Sequence, residues 1–140
     1  EVIYLNSAQG KSFSDYESVN IVEKVKEITG GQGVKLILDG VGKATIDISI
    51  DCLARRGILV SFGNASGAVP PFSLLKLLPK SAFVTRPKLN DYTATPQEKQ
   101  ARCREILSWI QEGKLKVTVD KVYSLDQVPD GHLYLESGQS

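Results

Sequence analysis

Between positions 20 and 62 the spacing of apolar residues switches back and forth between two periods. Ile21, Val22, Val25 and Ile28 recur at the three-to-four-residue interval of one helix face. Asn20 with Glu23 three positions later supplies a capping pair, and Gly30-Gly31 closes the helix because glycine takes the left-handed turn cheaply. Val34–Leu38 (VKLIL) is a compact apolar run of strand length, and Thr45–Ala54 returns to helical spacing with Ile46, Ile50 and Leu53 on one face. Ile58–Phe62 (ILVSF) predicts a second buried strand, Gly63–Pro71 a turn-rich loop and Ser81–Arg86 a third strand. Pro96–Glu112 carries the strongest helical stripe, formed by Cys103, Ile106, Leu107 and Ile110, with Gly113 at its end. Alternation at Val117, Val119 and Val122 predicts a late strand, Val2–Leu5 predicts an early one, and the polar stretch 6–18 predicts a loop.

Strand, helix, strand, helix, strand is the order of a parallel α/β sheet, whose ligands sit beyond the carboxyl ends of the strands. Asp39–Lys43, Phe62–Ala65 and Arg86–Leu89 are the stretches at those ends. Two of the ends are glycine-rich, Gly40-Val41-Gly42 and Gly63-Asn64-Ala65-Ser66-Gly67, so a flat or phosphorylated ligand could approach the backbone there. A tight strand-to-helix turn explains the same glycines equally well. The dinucleotide fingerprint G-x-G-x-x-G is absent: Thr45 stands where it needs glycine, and starting from Gly31 and Gly33 puts Leu36 there.

Composition narrows the classes. The 140 residues are about one domain's worth, 41% hydrophobic and 24% charged, which excludes a disordered chain or a disulfide scaffold. Seventeen Lys and Arg against 16 Asp and Glu leave a net charge of +1, which weighs against nucleic acid as a partner. No apolar run is long enough to span a membrane. Cys52 and Cys103, far apart, suggest free thiols in a reducing, cytoplasmic compartment. The chain has no Met and opens with Glu1, which leads us to expect a piece of a longer protein.

Cys52 and Cys103 have no C-x-x-C spacing and His132 is the sole histidine, so no metal site is expected. A Ser-His-Asp triad would depend on His132 with no G-x-S-x-G elbow, and His132 reads better as a helix-surface or capping residue. Arg86 is either a surface ion pair or a guanidinium aimed at an anionic or carbonyl ligand, and it is the one catalytic candidate. Tyr16 and Lys43 could each meet a phosphate or simply water, and Trp109 is expected in a core or an interface.

The stretches VEKVKEITGGQGVKLILDGVGKATIDISIDCLARRGILVSFGNASGAVPPF (22–72), VTRPKLNDYTATPQE (84–98), ILSWIQEGKLKVTVDKVYSLDQV (106–128) and HLYLESG (132–138) carry a resemblance. They resemble the zeta-crystallin-like NADPH:quinone oxidoreductases, zinc-free members of the medium-chain dehydrogenase/reductase superfamily. The resemblance implies a partial Rossmann-type, doubly wound parallel sheet with flanking helices. Residues 1–140 would then be the C-terminal part of the nucleotide-binding domain, with the family's upstream catalytic domain and glycine-rich loop lying before the matched region. It further implies NADPH as cofactor and hydride transfer to a quinone or electrophilic enone. Phe62, Gly63, Asn64 and Ala65 would lie along the nicotinamide and its ribose. Gly40, Val41, Gly42 and Lys43 would lie beside the cofactor, and Thr85, Arg86 and Pro87 near the nicotinamide. The family's tyrosine at the adenosine 2′-phosphate corresponds to Tyr16, or to Tyr4 if a gap is allowed. The family pairs its edge strand across a two-fold, which implies a homodimer with its seam near 81–90. Where the family's last helix is alanine-rich this chain has Val128-Pro129-Asp130-Gly131, which should break or shorten it. The rival class is a non-catalytic dimerisation or binding module derived from a truncated dehydrogenase.

Overall fold

The computed structural model describes residues 1–5 and 15–137. They fall into two compact units, one ending at Pro87 and one beginning at Lys88. The first unit contains the helix α1 (Ile21–Ile28), strand β1 (Val34–Asp39), helix α2 (Ile46–Cys52), strand β2 (Leu53–Ser61), a 3₁₀ segment (Leu74–Lys80) and strand β3 (Phe83–Thr85). The second contains α3 (Leu89–Tyr92), α4 (Pro96–Gln111), a 3₁₀ turn (Leu125–Gln127) and α5 (Val128–Glu136).

The three strands form one sheet in the order β1-β2-β3, parallel throughout. That is the parallel α/β arrangement the spacing pattern implies, and it agrees with the partial Rossmann-type sheet that the resemblance implies. Register sorts the side chains into rows. Ile37, Leu59 and Val84 are neighbours across the sheet and join the core with Ile46, Ile50 and Leu53. Leu36, Ile58 and Phe83 form the next row, on the other face, and remain 55%, 41% and 55% exposed. The face lined by Leu59 is thus the one α2 and the 3₁₀ segment pack against. Lys80 closes the back of α2, its Nζ donating to the Ile50 and Asp51 carbonyls at 3.1 and 2.6 Å.

α1 starts where the capping pair predicts, the Asn20 side chain accepting the Glu23 N–H at 3.2 Å. α4 starts on a reciprocal capping box, Thr95 with Glu98, and Pro96 occupies the first position, where a missing N–H costs nothing. Several expectations need correction. α2 ends at Cys52 and β2 begins at Leu53, earlier than the predicted Ile58. The pairing skips from Val34↔Leu53 to Leu36↔Ile58, so Ala54–Gly57 form an irregularity in which Arg56 takes φ 57°. The third strand is only Phe83–Thr85, and the residues before it form a 3₁₀ segment that periodicity did not reveal.

Val2–Leu5 is not a strand, nor is the stretch from Val117 to Val122; Tyr4 and Val122 are 83% and 87% exposed. Alternation alone makes no strand without a neighbour to complete the ladder, and none pairs with either stretch among the described residues. The expected loop at 6–18 lies mostly outside the described residues; its end, 15–18, is a turn. α5 forms despite Pro129 and Gly131. Pro129 sits in the first turn, and a Cβ at Gly131 would stand 3.3 Å from the Tyr123 ring, so glycine admits that ring. His132 is on the exposed surface of α5. Trp109, expected in a core or interface, is 41% exposed on α4. Within the second unit Lys121 Nζ sits 3.4 Å from the Tyr134 ring centre, and the Tyr134 hydroxyl donates to Asp120.

The two faces of the sheet predict opposite mutational responses. Leu59→Ala, at a position with no exposure, should cost about 3 kcal/mol in a urea titration, and Leu38→Ala less than about 0.5 kcal/mol. Equal costs would contradict the assignment of faces.

Candidate functional site at the strand ends

Asp39 is the last residue of β1 and shares the α2-facing row with Ser61 of β2. Burial at 5% exposure leaves its carboxylate dependent on protein donors. Oδ1 accepts the Val41 and Gly42 N–H groups at 2.8 and 3.0 Å; Oδ2 accepts the Thr45 and Ser49 hydroxyls at 2.8 and 2.9 Å. Burial pushes its pKa up, but the hydrogen bonds from Gly42, Thr45, Val41 and Ser49 outweigh it and hold the carboxyl below its ordinary value. One side chain thereby fixes the loop after β1 and the first two turns of α2.

The loop after β2 runs alongside the first. Phe62 N–H donates to the Asp39 carbonyl at 2.8 Å, Ala65 N–H to Gly40 at 3.2 Å, Ser66 N–H to Val41 at 2.8 Å and Lys43 N–H to Gly67 at 3.1 Å. Ser66 splices the pair a second time: its hydroxyl donates to the Val41 carbonyl and accepts the Ala44 N–H. Glycine is required by this contact. A Cβ at Gly63 would run into the Gly40 carbonyl, and one at Gly42, already at φ 89°, would lie 2.8 Å from the Gly67 carbonyl.

This geometry bears on which ligands fit. The N–H groups of Val41, Gly42, Lys43, Ala44, Thr45 and Ile46 are all donated inward. The β1-end loop is therefore not an open cradle of amides for a phosphate. It is instead part of a ledge of two loops sewn edge to edge, in which the Cβ positions of Gly40, Gly42 and Gly63 are taken up by the Phe62 ring and the facing loop. Phe62, 56% exposed, lies along it with its ring against Gly40, where a Cβ would stand 3.0 Å away.

β3 contributes Arg86, just past its end. Its Nη1 donates to the Ser61 carbonyl at 3.0 Å, the Ser61 hydroxyl at 3.2 Å and the Gly63 carbonyl at 3.1 Å. No carboxylate among the described residues pairs with it. Thr85 pairs in register with Val60, which brings Thr85, Arg86 and Pro87 to the same end as the two loops. The structure therefore gathers Gly40, Val41, Gly42, Lys43, Phe62, Gly63, Asn64, Ala65, Thr85, Arg86 and Pro87 at one end of the sheet. Tyr16 is half-buried in the turn before α1 and Tyr4 is 83% exposed. Among the described residues no hydrogen bond joins either side chain to the loops. Asp39, Thr45, Ser49 and Ser66 are the residues that sequence reasoning left without a role. An aspartate directly before Gly-x-Gly, with hydroxyls six and ten positions on, was the available signal. No three His, Cys, Asp or Glu side chains among the described residues could together hold a metal ion.

A parallel sheet flanked by helices, with loops meeting at the carboxyl ends of adjacent strands, is the Rossmann-type class of α/β domain. The family described as zinc-binding dehydrogenase matches residues 10–140, and the chain belongs to it. A quinone oxidoreductase of Salmonella typhimurium is 45% identical over 126 residues, 88% of this chain and 38% of that protein. Quinone oxidoreductase 1 of Escherichia coli is 44% identical over the same shares. The crystal structure of Escherichia coli quinone oxidoreductase complexed with NADPH superposes with a TM-score of 0.84 at 43% identity, covering 90% of this chain and 40% of that one. The chain thus spans about 38% of the length of the curated relatives it matches.

The Asp39 network predicts a pH signature. Because the folded value lies below the unfolded one of about 3.9, the stability it adds is complete above that pH and is lost as pH falls through the folded value. Asp39→Ala should cost about 3 kcal/mol at pH 7 by urea titration. Asp39→Asn should flatten the loss of stability that sets in as pH falls below about 4. An unchanged acid limb in Asp39→Asn would remove Asp39 as its source.

Proposed function

We propose that this chain is the C-terminal part of the cofactor-binding domain of an NADPH-dependent quinone oxidoreductase. The two strand-end loops would form the seat for the nicotinamide. The observation that carries the reading is the ledge itself: two loops locked edge to edge, with the β1-end amides turned inward. Such a surface suits a flat ring rather than a phosphate group. Bound there, NADPH would supply the hydride that passes to a quinone or electrophilic enone. This chain's residues would orient the ring and exclude water. Phe62, Gly63, Asn64 and Ala65 would lie along the nicotinamide and its ribose, with Gly40, Val41, Gly42 and Lys43 beside them. Thr85 and Pro87 would close the far side. Arg86 would act on the site through its grip on Ser61 and Gly63. Tyr16 is favoured over Tyr4 at the 2′-phosphate because its half-buried place in a turn gives it a fixed position.

Similarity to quinone oxidoreductases, one of them crystallised with NADPH, supports the reading. Metal-independence belongs to the same proposal. The exposed row Leu36–Ile58–Phe83 supports a doubly wound domain, since parallel sheets are covered on both faces. The outer edge of β3 has no strand partner among the described residues, which supports a homodimer seam near 81–90. No helix among the described residues is long and apolar enough to cross a membrane. Both cysteines are free, which supports a reducing, cytoplasmic setting. The non-catalytic module would use the same β3 edge but leave the ledge without a ligand.

A fluorescence titration with NADPH, with NADH as control, tests the seat. Micromolar binding that prefers NADPH and is lost in Gly63→Val is the expected result. Binding that survives Gly63→Val, or that is equal for the two nucleotides, would contradict the seat, and no binding of either would mean that the family's upstream glycine-rich loop is indispensable to it.

A further inference from the structure

An open pocket of about 290 Å³ lies against the carboxyl ends of β2 and β3, on the face covered by α2. Ile46, Val69, Phe72 and Val84 give it an apolar wall, and Ser61, Asn64 and Arg86 are its polar residues. The volume is at the small end of ligand sites and suits a body of about one ring.

Arg86 decides what kind of ring compound fits. Its Nη1 is held by three neutral oxygens, those of the Ser61 carbonyl, the Ser61 hydroxyl and the Gly63 carbonyl. These contacts fix the guanidinium in place without cancelling its charge, and among the described residues no carboxylate does so. A guanidinium presents five N–H donors in a rigid fork, and the remaining ones have no acceptor among the described residues. A fixed cation beside an apolar wall favours an anion with an apolar body. A carboxylate matches the fork, whereas a free phosphate has no apolar part for Val69, Phe72 and Val84 to cover.

We propose that this pocket binds a small apolar monocarboxylate, with its charge on Arg86 and its ring against Val69, Phe72 and Val84. The pocket shares Asn64 and Arg86 with the proposed nicotinamide seat, and the titration below is run without nucleotide so that its failure is distinguishable from a failure of that reading.

Benzoate is the probe and benzamide, of the same shape but neutral, is its control. Each is titrated into the 140-residue chain without nucleotide and followed by methyl and arginine side-chain NMR. Saturable shifts at Val69, Val84 and the Arg86 Nε are expected with benzoate, and binding about tenfold weaker with benzamide. Arg86→Gln should bring benzoate to the benzamide level, and Phe72→Ala should weaken both. Equal binding of the two probes in the unaltered protein would overturn the proposal, with no variant needed. Shifts confined to other residues, or no saturable shift, would overturn it as well.

Discussion

A carboxylate withdrawn from water must find donors, and Asp39 finds them in two different parts of the chain. Val41 and Gly42 turn their N–H groups back to it, and Thr45 and Ser49 reach it from α2. Satisfying one buried charge therefore sets the path of the loop after β1 and the position of α2 on the sheet. The loop after β2 is then built onto the first, through the Phe62, Ala65 and Ser66 amides and the Ser66 hydroxyl. Glycine at 42 and 63 is what lets two backbones come so close.

The chemistry at the strand ends follows from this arrangement. Amides of the β1-end loop that serve Asp39 and the neighbouring loop are not available to an anion, so the glycine-rich composition does not make this loop a phosphate cradle. Positive charge is supplied instead by Arg86, anchored on the end of β2. A ledge of two joined loops and a fixed guanidinium thus stand side by side, each suited to a different part of ligand chemistry.

Much of this was legible in the residues. The capping pair at Asn20 and Glu23, the helix starting at Pro96 and the parallel α/β class all follow from spacing and turn residues. The strand-end stretches were identified by the rule that ligands collect there, and the resemblance to quinone oxidoreductases agrees with the relatives found. Other features depend on contacts that spacing does not encode. Val117–Val122 has the alternation of a strand but no neighbour among the described residues. The early start of β2 rests on the irregularity at Arg56. The part played by Asp39 required knowing that Thr45 and Ser49 return to the same strand end. Pro129 looked like a helix breaker only because its place in the first turn of α5 was not fixed by the pattern.

The central claim is that the two loops form one rigid unit held by Asp39. Amide hydrogen exchange under native conditions tests it residue by residue. The amides of Val41, Gly42 and Ser66 should be protected to the same degree as those of Leu59 and Val60 in β2, and should lose that protection together in Asp39→Ala. Exchange at Val41 and Gly42 as fast as in an unstructured loop, with β2 still protected, would contradict the account.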